Sequence, residues 1–233
     1  MFTIFVNIAL YFNLTIKRKF FTLSNLIFIL TIITTFSTTG YIALSFTVLL
    51  YLLFYSKSKF KIVYLSCFII GSVYVSNLDF LKVKILQQIK ESDKTKGFGK
   101  SSGASRFGSV YIHYQVISEY PITGVGDGAT RYIADFTDAD STANGVTFVF
   151  VKYGLFIGIF YYFLLLKSCK NIMKYYTKGN FFGYDLFILL LILAFSQDIT
   201  VRLFYFFLII WGMFIMAPKT SLKKHSVQAI KYM

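Results

Sequence analysis

Of the four arginines in the chain, Arg18 sits in a basic triplet, whereas Arg106, Arg131 and Arg202 stand singly. A guanidinium is a planar fork that grips phosphate oxygens two at a time, a geometry that lysine's point charge lacks. Ser105 and Pro121 bracket a helix expected over about 106–119, with Phe107, Val110, Tyr114 and Ile117 on one stripe and His113 near the face of Arg106. A cation in the first turn of a helix gains nothing from the helix dipole, so Arg106 has as partner either a carboxylate of the same segment or an anionic ligand. Proton transfer has as candidates His113, Glu119, Asp127, Asp135, Asp138 and Asp140, and their spacing singles out none. Asp138-Ala139-Asp140 has the form of a metal-chelating pair, but in an acidic loop such a triplet is more often solvated, and no metal is expected. Gly97-Phe98-Gly99-Lys100-Ser101-Ser102-Gly103 is no phosphate loop, because position 94 is lysine where the pattern needs glycine. Cys67 and Cys169 are too few for a disulfide framework or a zinc ligand set.

These groups must be carried by apolar helices. The 233 residues are 56% hydrophobic and 20% aromatic with 15% charged, an excess no single soluble core can hide. The fold class expected is an all-α integral membrane protein of about seven transmembrane helices. Apolar runs place spans near 2–16, 20–36, 40–56, 62–78, 146–166, 183–197 and 203–217. The charge-free run 20–56 is divided at Ser37-Thr38-Thr39-Gly40, and the last apolar block at 197–202. The domains are then 1–78 with four spans, the large exterior loop 79–145, the spans of 146–217, and a basic tail 218–233.

Lys and Arg outnumber Asp and Glu by 24 to 10, and the net +14 follows topology. Lys17 to Lys19, Lys57 to Lys61, Lys167 to Lys178 and Lys219 to Lys231 follow the odd-numbered spans, which puts them in the cytoplasm, the amino terminus in the periplasm and the carboxyl terminus in the cytoplasm. The exterior loop carries eight basic and eight acidic residues, and Lys152 and Arg202 are balanced by Asp185 and Asp198. A nucleic-acid footprint is excluded on that distribution. Residues 78–90 read as an amphipathic surface helix, Gly124, Gly126 and Gly128 as turn formers, and Gly154 with Gly158 as a close helix contact. Lys152 snorkels outward, and Asp198 is the plain partner of Arg202. Span one lacks a basic n-region, and an amino terminus placed outside implies upstream helices that the chain does not include.

The ordered set of Arg106, Glu119-Tyr120-Pro121-Ile122-Thr123-Gly124-Val125-Gly126, an acidic stretch, Asn144, and a span from Val146 through Gly154 and Gly158 resembles the O-antigen polymerase and ligase family of bacterial cell envelopes. The likeness covers about 30–215, with Ser37-Thr38-Thr39-Gly40-Tyr41 in the place of the turn that opens an earlier helix and Thr38 where many relatives have arginine. It implies a larger multi-span, GT-C-related glycosyltransferase fold at the cytoplasmic membrane. A growing glycan would pass from undecaprenyl diphosphate to another lipid-linked repeat unit at the periplasmic face, with no cofactor. Catalytic roles would fall to Arg106, Arg131, His113 and Glu119. Diphosphate and glycan binding would fall to Arg106, Arg131, Arg202 and Asn144. Partners would be the undecaprenyl-diphosphate-linked oligosaccharide, the lipid bilayer and a chain-length regulator. Ligases of the family have a His-Asn pair where this chain has Ala143-Asn144, which tilts the reading toward a Wzy-type polymerase. The alternatives are a ligase, an inactive truncated polymerase, and a flippase or transporter subunit. The last is disfavoured because polar residues gather in one loop and not at mid-span.

Overall fold

The structure is a computed structural model that describes residues 2–56, 66, 83, 86, 106–137, 144–177, 183–197 and 199–215. The described residues are all-helical: α1 (Phe2–Lys17), α2 (Leu23–Thr34), α3 (Thr38–Leu50) running into a π-turn at Tyr51–Tyr55, α4 (Arg106–Glu119), α5 (Ala129–Thr137), α6 (Gly145–Thr177), α7 (Tyr184–Ala194) and α8 (Leu203–Phe214). The expected span 62–78 and the amphipathic helix 78–90 lie outside the described residues as elements.

Helix α6 is the axis on which α4, α7 and α8 pack, while α1 pairs with α2 and α3 and α3 closes against α7. Tyr11, Leu165, Met173, Leu190 and Tyr205 are fully buried where α1, α6, α7 and α8 meet. A second cluster, with Leu10, Leu14, Ile32 and Leu52, fills the space between α1, α2 and α3. Large apolar side chains also cover the outside: Leu30, Phe156, Phe160, Phe163, Leu203 and Phe214 are each at least 59% exposed. A greasy exterior over a packed interior is a surface made for lipid. Thr38–Tyr55 and Gly145–Thr177 are long and apolar enough to cross a membrane, and the other apolar helices are of 10–17 residues.

Local chemistry explains where the elements stop. The break in the run 20–56 falls at residues 35–37, earlier than the expected turn. Phe36 is left-handed (φ 48) and Ser37 caps α3 by accepting from the Gly40 N–H at 3.2 Å, so Thr38 to Gly40 form its first helical turn. Arg18, also left-handed (φ 52), ends α1. The α1–α2 turn is then held by fully buried Asn25, whose amide donates to the carbonyls of Lys19 (2.8 Å) and Phe20 (3.0 Å) and whose Oδ1 accepts from Asn13 (2.6 Å). Asn25→Leu is expected to destabilise this hairpin by about 2–3 kcal/mol, because it leaves turn carbonyls and Asn13 unsatisfied. Thermal unfolding in detergent measures the loss, with Asn13→Leu the smaller effect.

The helix that carries the expected span 146–166 runs on to Thr177, since Cys169, Ile172 and Met173 still point into the core while Lys167 and Lys174 point out. Two further expectations are corrected. Gly154 and Gly158 do not make the close helix contact: Gly158 lies against Phe150 of its own helix, and the tight crossing is Gly212 on Ser168, where a Cβ would sit 2.5 Å from the serine Cβ. Ser168 and Asn171 clamp it by donating to the carbonyls of Ile209 (2.8 Å) and Gly212 (2.9 Å). Asp185 does not balance Lys152. It is buried at the opposite end of α6, where it accepts from the Tyr55 hydroxyl at 2.7 Å.

Candidate functional site

Helix α4 forms over the span that its sequence predicts and lies alongside the first turns of α6. Ile112 and Val116 of α4, Ala129 and Ile133 of α5, and Phe148 and Val151 of α6 close a small separate core. This core seats His113. The imidazole is fully buried, its Nδ1 is 2.6 Å from Thr147 Oγ1, and its ring lies 5.8 Å from that of Phe148. Desolvation lowers its pKa from 6.5 to about 4, so the ring is neutral at physiological pH. Nε2 has no partner among the described residues.

Asn144 is the cap of α6. Its Oδ1 accepts from the N–H groups of Val146 (3.0 Å) and Thr147 (3.2 Å), while its buried Nδ2 finds no partner among the described residues. Thr147 therefore joins the two: its side chain meets His113 and its N–H meets Asn144. A ring nitrogen and an amide donor, neither matched among the described residues, thus end at one helix start, and leaving such groups unpaired in a dry interior is costly.

The start of α6 is braced from the other side by the 197–202 hairpin. Fully buried Thr200 donates to the Gly145 carbonyl at 2.5 Å, Tyr161 donates to the Thr200 carbonyl at 2.6 Å, and Tyr162 donates to the Val146 carbonyl at 2.8 Å.

Nine residues into α6 the helix breaks at Gly154 (φ 78, ψ 173). A regular helix would pair the Leu155 N–H with the Val151 carbonyl. Here the turn after α4 is spliced between them: Val125 donates to Val151 at 2.8 Å, and Leu155 donates to Pro121 at 2.8 Å. Glycine is required on both sides of the splice. Gly124 is itself left-handed (φ 65), and a Cβ on it would come within 2.6 Å of both Gly154 N and the Val151 carbonyl, while a Cβ on Gly154 would overlap the Ile122 carbonyl. Next to the splice Lys152 pairs with Asp127 at 2.7 Å, so Lys152 has a defined partner and does not merely reach for water.

Of the proton-transfer candidates, Glu119 accepts from the Tyr132 hydroxyl at 2.6 Å, which pushes the tyrosine pKa up. The Asp127 carboxyl is held below its usual range by Lys152. Asp138, Asp140 and the Asp135 side chain lie outside the described residues. Arg106 opens α4 and its side chain is likewise not described; Arg131 is exposed on α5, and Arg202 is exposed at the start of α8. Asp198 also lies outside the described residues. The structure thus brings together His113 and Asn144 and separates both from Glu119, which sits at the far end of α4. Thr147, Thr200 and the splice were missed by sequence reasoning. The available signal was a glycine inside an otherwise helical run, Gly154, paired with the Gly124 turn.

An apolar helical bundle with a lipid-suited exterior and two helices long enough to cross a membrane is consistent with a membrane protein, and it carries a buried polar cluster at the start of α6. A family model described as O-antigen ligase matches residues 23–163, which run from α2 through the site into α6, and the chain belongs to that family. No curated protein and no solved structure matches the chain significantly. Membership makes it an O-antigen polymerase/ligase-type glycosyltransferase-like enzyme of the bacterial inner membrane, acting on lipid-linked oligosaccharides.

Proposed function

We propose that the chain is a surface-polysaccharide polymerase, which transfers a glycan from undecaprenyl diphosphate to another lipid-linked repeat unit. The observation that carries this reading is the fully buried His113, whose Nε2 has no partner among the described residues and which Thr147 links to Asn144. With Nδ1–H donated to Thr147, Nε2 presents a lone pair to the acceptor hydroxyl and Asn144 Nδ2 a donor to a neighbouring sugar oxygen. The hydroxyl oxygen attacks the anomeric carbon of the donor, its proton passes to His113, and the bond to the diphosphate breaks with its electron pair leaving on phosphate. A dianionic donor near the ring raises the histidine pKa and makes it a better base in the complex than in the free protein. Arg106 and Arg131 neutralise the leaving group, and Arg202 supports it from the hairpin mouth. Seven spans, a periplasmic loop 79–145, and the termini outside and inside respectively belong to the same reading, which the distribution of lysine supports.

A ligase is the second reading. The family model is described as O-antigen ligase, and His113 meets through Thr147 the asparagine that in ligases follows a histidine in sequence. The acceptor separates the two: polymerase activity lengthens lipid-linked glycan, and ligase activity moves glycan onto the lipid core. In cells lacking their own polymerase, Arg106→Ala is expected to reduce the polymer ladder at least about tenfold at unchanged protein level. Unchanged polymer would remove Arg106 from the mechanism.

A further inference from the structure

His113 and Asn144 are both fully buried, so an acceptor hydroxyl reaches Nε2 only after some element moves. The break in α6 identifies the element. If the turn at 121–125 withdraws, the Leu155 N–H and the Val151 carbonyl are the two groups that a continuous helix pairs with each other. Each loses a partner from the turn and gains one from α6. Val125 N–H and the Pro121 carbonyl pass to water, and Asp127 beside them has a side chain 95% exposed. Within α6 the backbone change falls on Gly154, which moves from φ 78 to helical values, a step open to glycine without steric cost. The Leu155 N–H and the Val151 carbonyl are satisfied in both arrangements, by two bonds to the turn or by one bond to each other, so α6 can hold either one. The Asp127–Lys152 pair clips the docked arrangement from the water side, and an exposed ion pair of this kind is weak enough to open.

Straightening α6 at Gly154 moves its first turns, which carry Thr147 and Phe148, relative to α4, which carries His113. We propose that the turn 121–125, with Gly154 as hinge and Asp127–Lys152 as clip, is a latch that opens to admit the acceptor glycan to His113 and closes to set Thr147 on its ring for transfer. Gly154, Asp127 and Lys152 are positioning residues in this scheme, which rests on the glycosyl-transfer reading above. Gating of this type sets the turnover of many enzymes.

The test joins Asp127→Cys to Lys152→Cys in the full chain carrying Cys67→Ser; Cys169 is buried and stays unreactive. A short bifunctional methanethiosulfonate reagent holds the latch shut, and a reductant releases it. Polymer synthesis is expected to fall about tenfold or more on cross-linking and to return on reduction, since an enzyme locked closed admits no acceptor. A cross-linked protein that makes polymer at the uncross-linked rate overturns the latch, and a purely structural role for the pair gives that result. A second readout does not depend on activity: diethylpyrocarbonate modification of His113, followed by peptide mass spectrometry. Gly154→Ala, which disfavours the docked turn, is expected to raise the modification rate roughly tenfold, and the cross-link to lower it below that of the free chain. Modification indifferent to both changes also overturns the latch. Modification that follows the latch in a chain making no polymer in any form keeps the latch and overturns the glycosyl-transfer reading.

Discussion

His113→Gln is expected to lower polymer synthesis by roughly 100-fold or more, the usual contribution of a positioned general base, with the protein still present in the membrane. Glutamine approximates the volume and can still bond Thr147, but it offers no basic lone pair to a sugar hydroxyl. Thr147→Val separates orientation from basicity: it removes the 2.6 Å contact at Nδ1 while leaving the imidazole in place. Its effect should be smaller and should fall mainly on kcat, because KM reports glycan contacts that the threonine does not make. The same histidine fixes an acid sensitivity. Its folded pKa of about 4 lies below the unfolded value of 6.5, so the unfolded chain binds a proton in that interval and the folded chain does not. Stability is therefore whole above pH 6.5 and declines as pH falls toward 4, by an amount on the order of 3 kcal/mol at 1.36 kcal/mol per pH unit. Amide exchange across α4, followed from pH 7 to pH 4, should show the loss in the parent chain and a flat profile in His113→Gln. A variant with full polymer and an unchanged acid profile would exclude His113 as the base.

Much of the helical frame was legible because its signals are local. A serine and a proline bracket α4, and apolar runs between charges mark α1, α7 and α8 to within a few residues. Helix ends were less legible than helix existence. Lys167 follows the expected span, yet the helix itself runs on because Ile172 and Met173 bury against neighbouring helices while the lysines face outward. Ser37 to Gly40 looked like a turn, yet the serine hydroxyl caps the helix that follows. At the site, sequence named His113 and Asn144 among several polar candidates but gave no reason to join them, since they are 31 positions apart and meet through Thr147. Spacing gave Glu119 and Asp127 the same standing as bases and no sign of their partners, Tyr132 and Lys152. The splice was out of reach for the same reason: hydrogen bonds between residues 121–125 and 151–155 leave no periodicity, only a glycine on each side.

The three glycines of the turn look alike in sequence and are expected to behave in three different ways. Gly128 has nothing within 4 Å of the place a Cβ would take and no left-handed φ, so Gly128→Ala should be neutral or slightly stabilising. Gly126 is left-handed (φ 75) but equally uncrowded, and Gly126→Ala should cost about 1–2 kcal/mol of backbone strain and no contact. Gly124 carries both penalties: φ 65, and backbone atoms of Val151 and Gly154 2.6 Å from where its Cβ would lie. Those atoms are main chain of a packed helix and cannot rotate aside, so Gly124→Ala should expel the turn from α6. The loss is that strain together with the bonds Val125 to Val151 and Leu155 to Pro121, roughly 4 kcal/mol against the docked arrangement. Amide exchange resolves the series, because the Val125 N–H should lose its protection in Gly124→Ala while the Leu155 N–H keeps it by turning to the Val151 carbonyl. Polymer should fall at least about tenfold with it, since Thr147 no longer stays on the His113 ring long enough for transfer. Equal loss in Gly126→Ala and Gly124→Ala would mean that the turn matters for its own shape and not for its place in the helix.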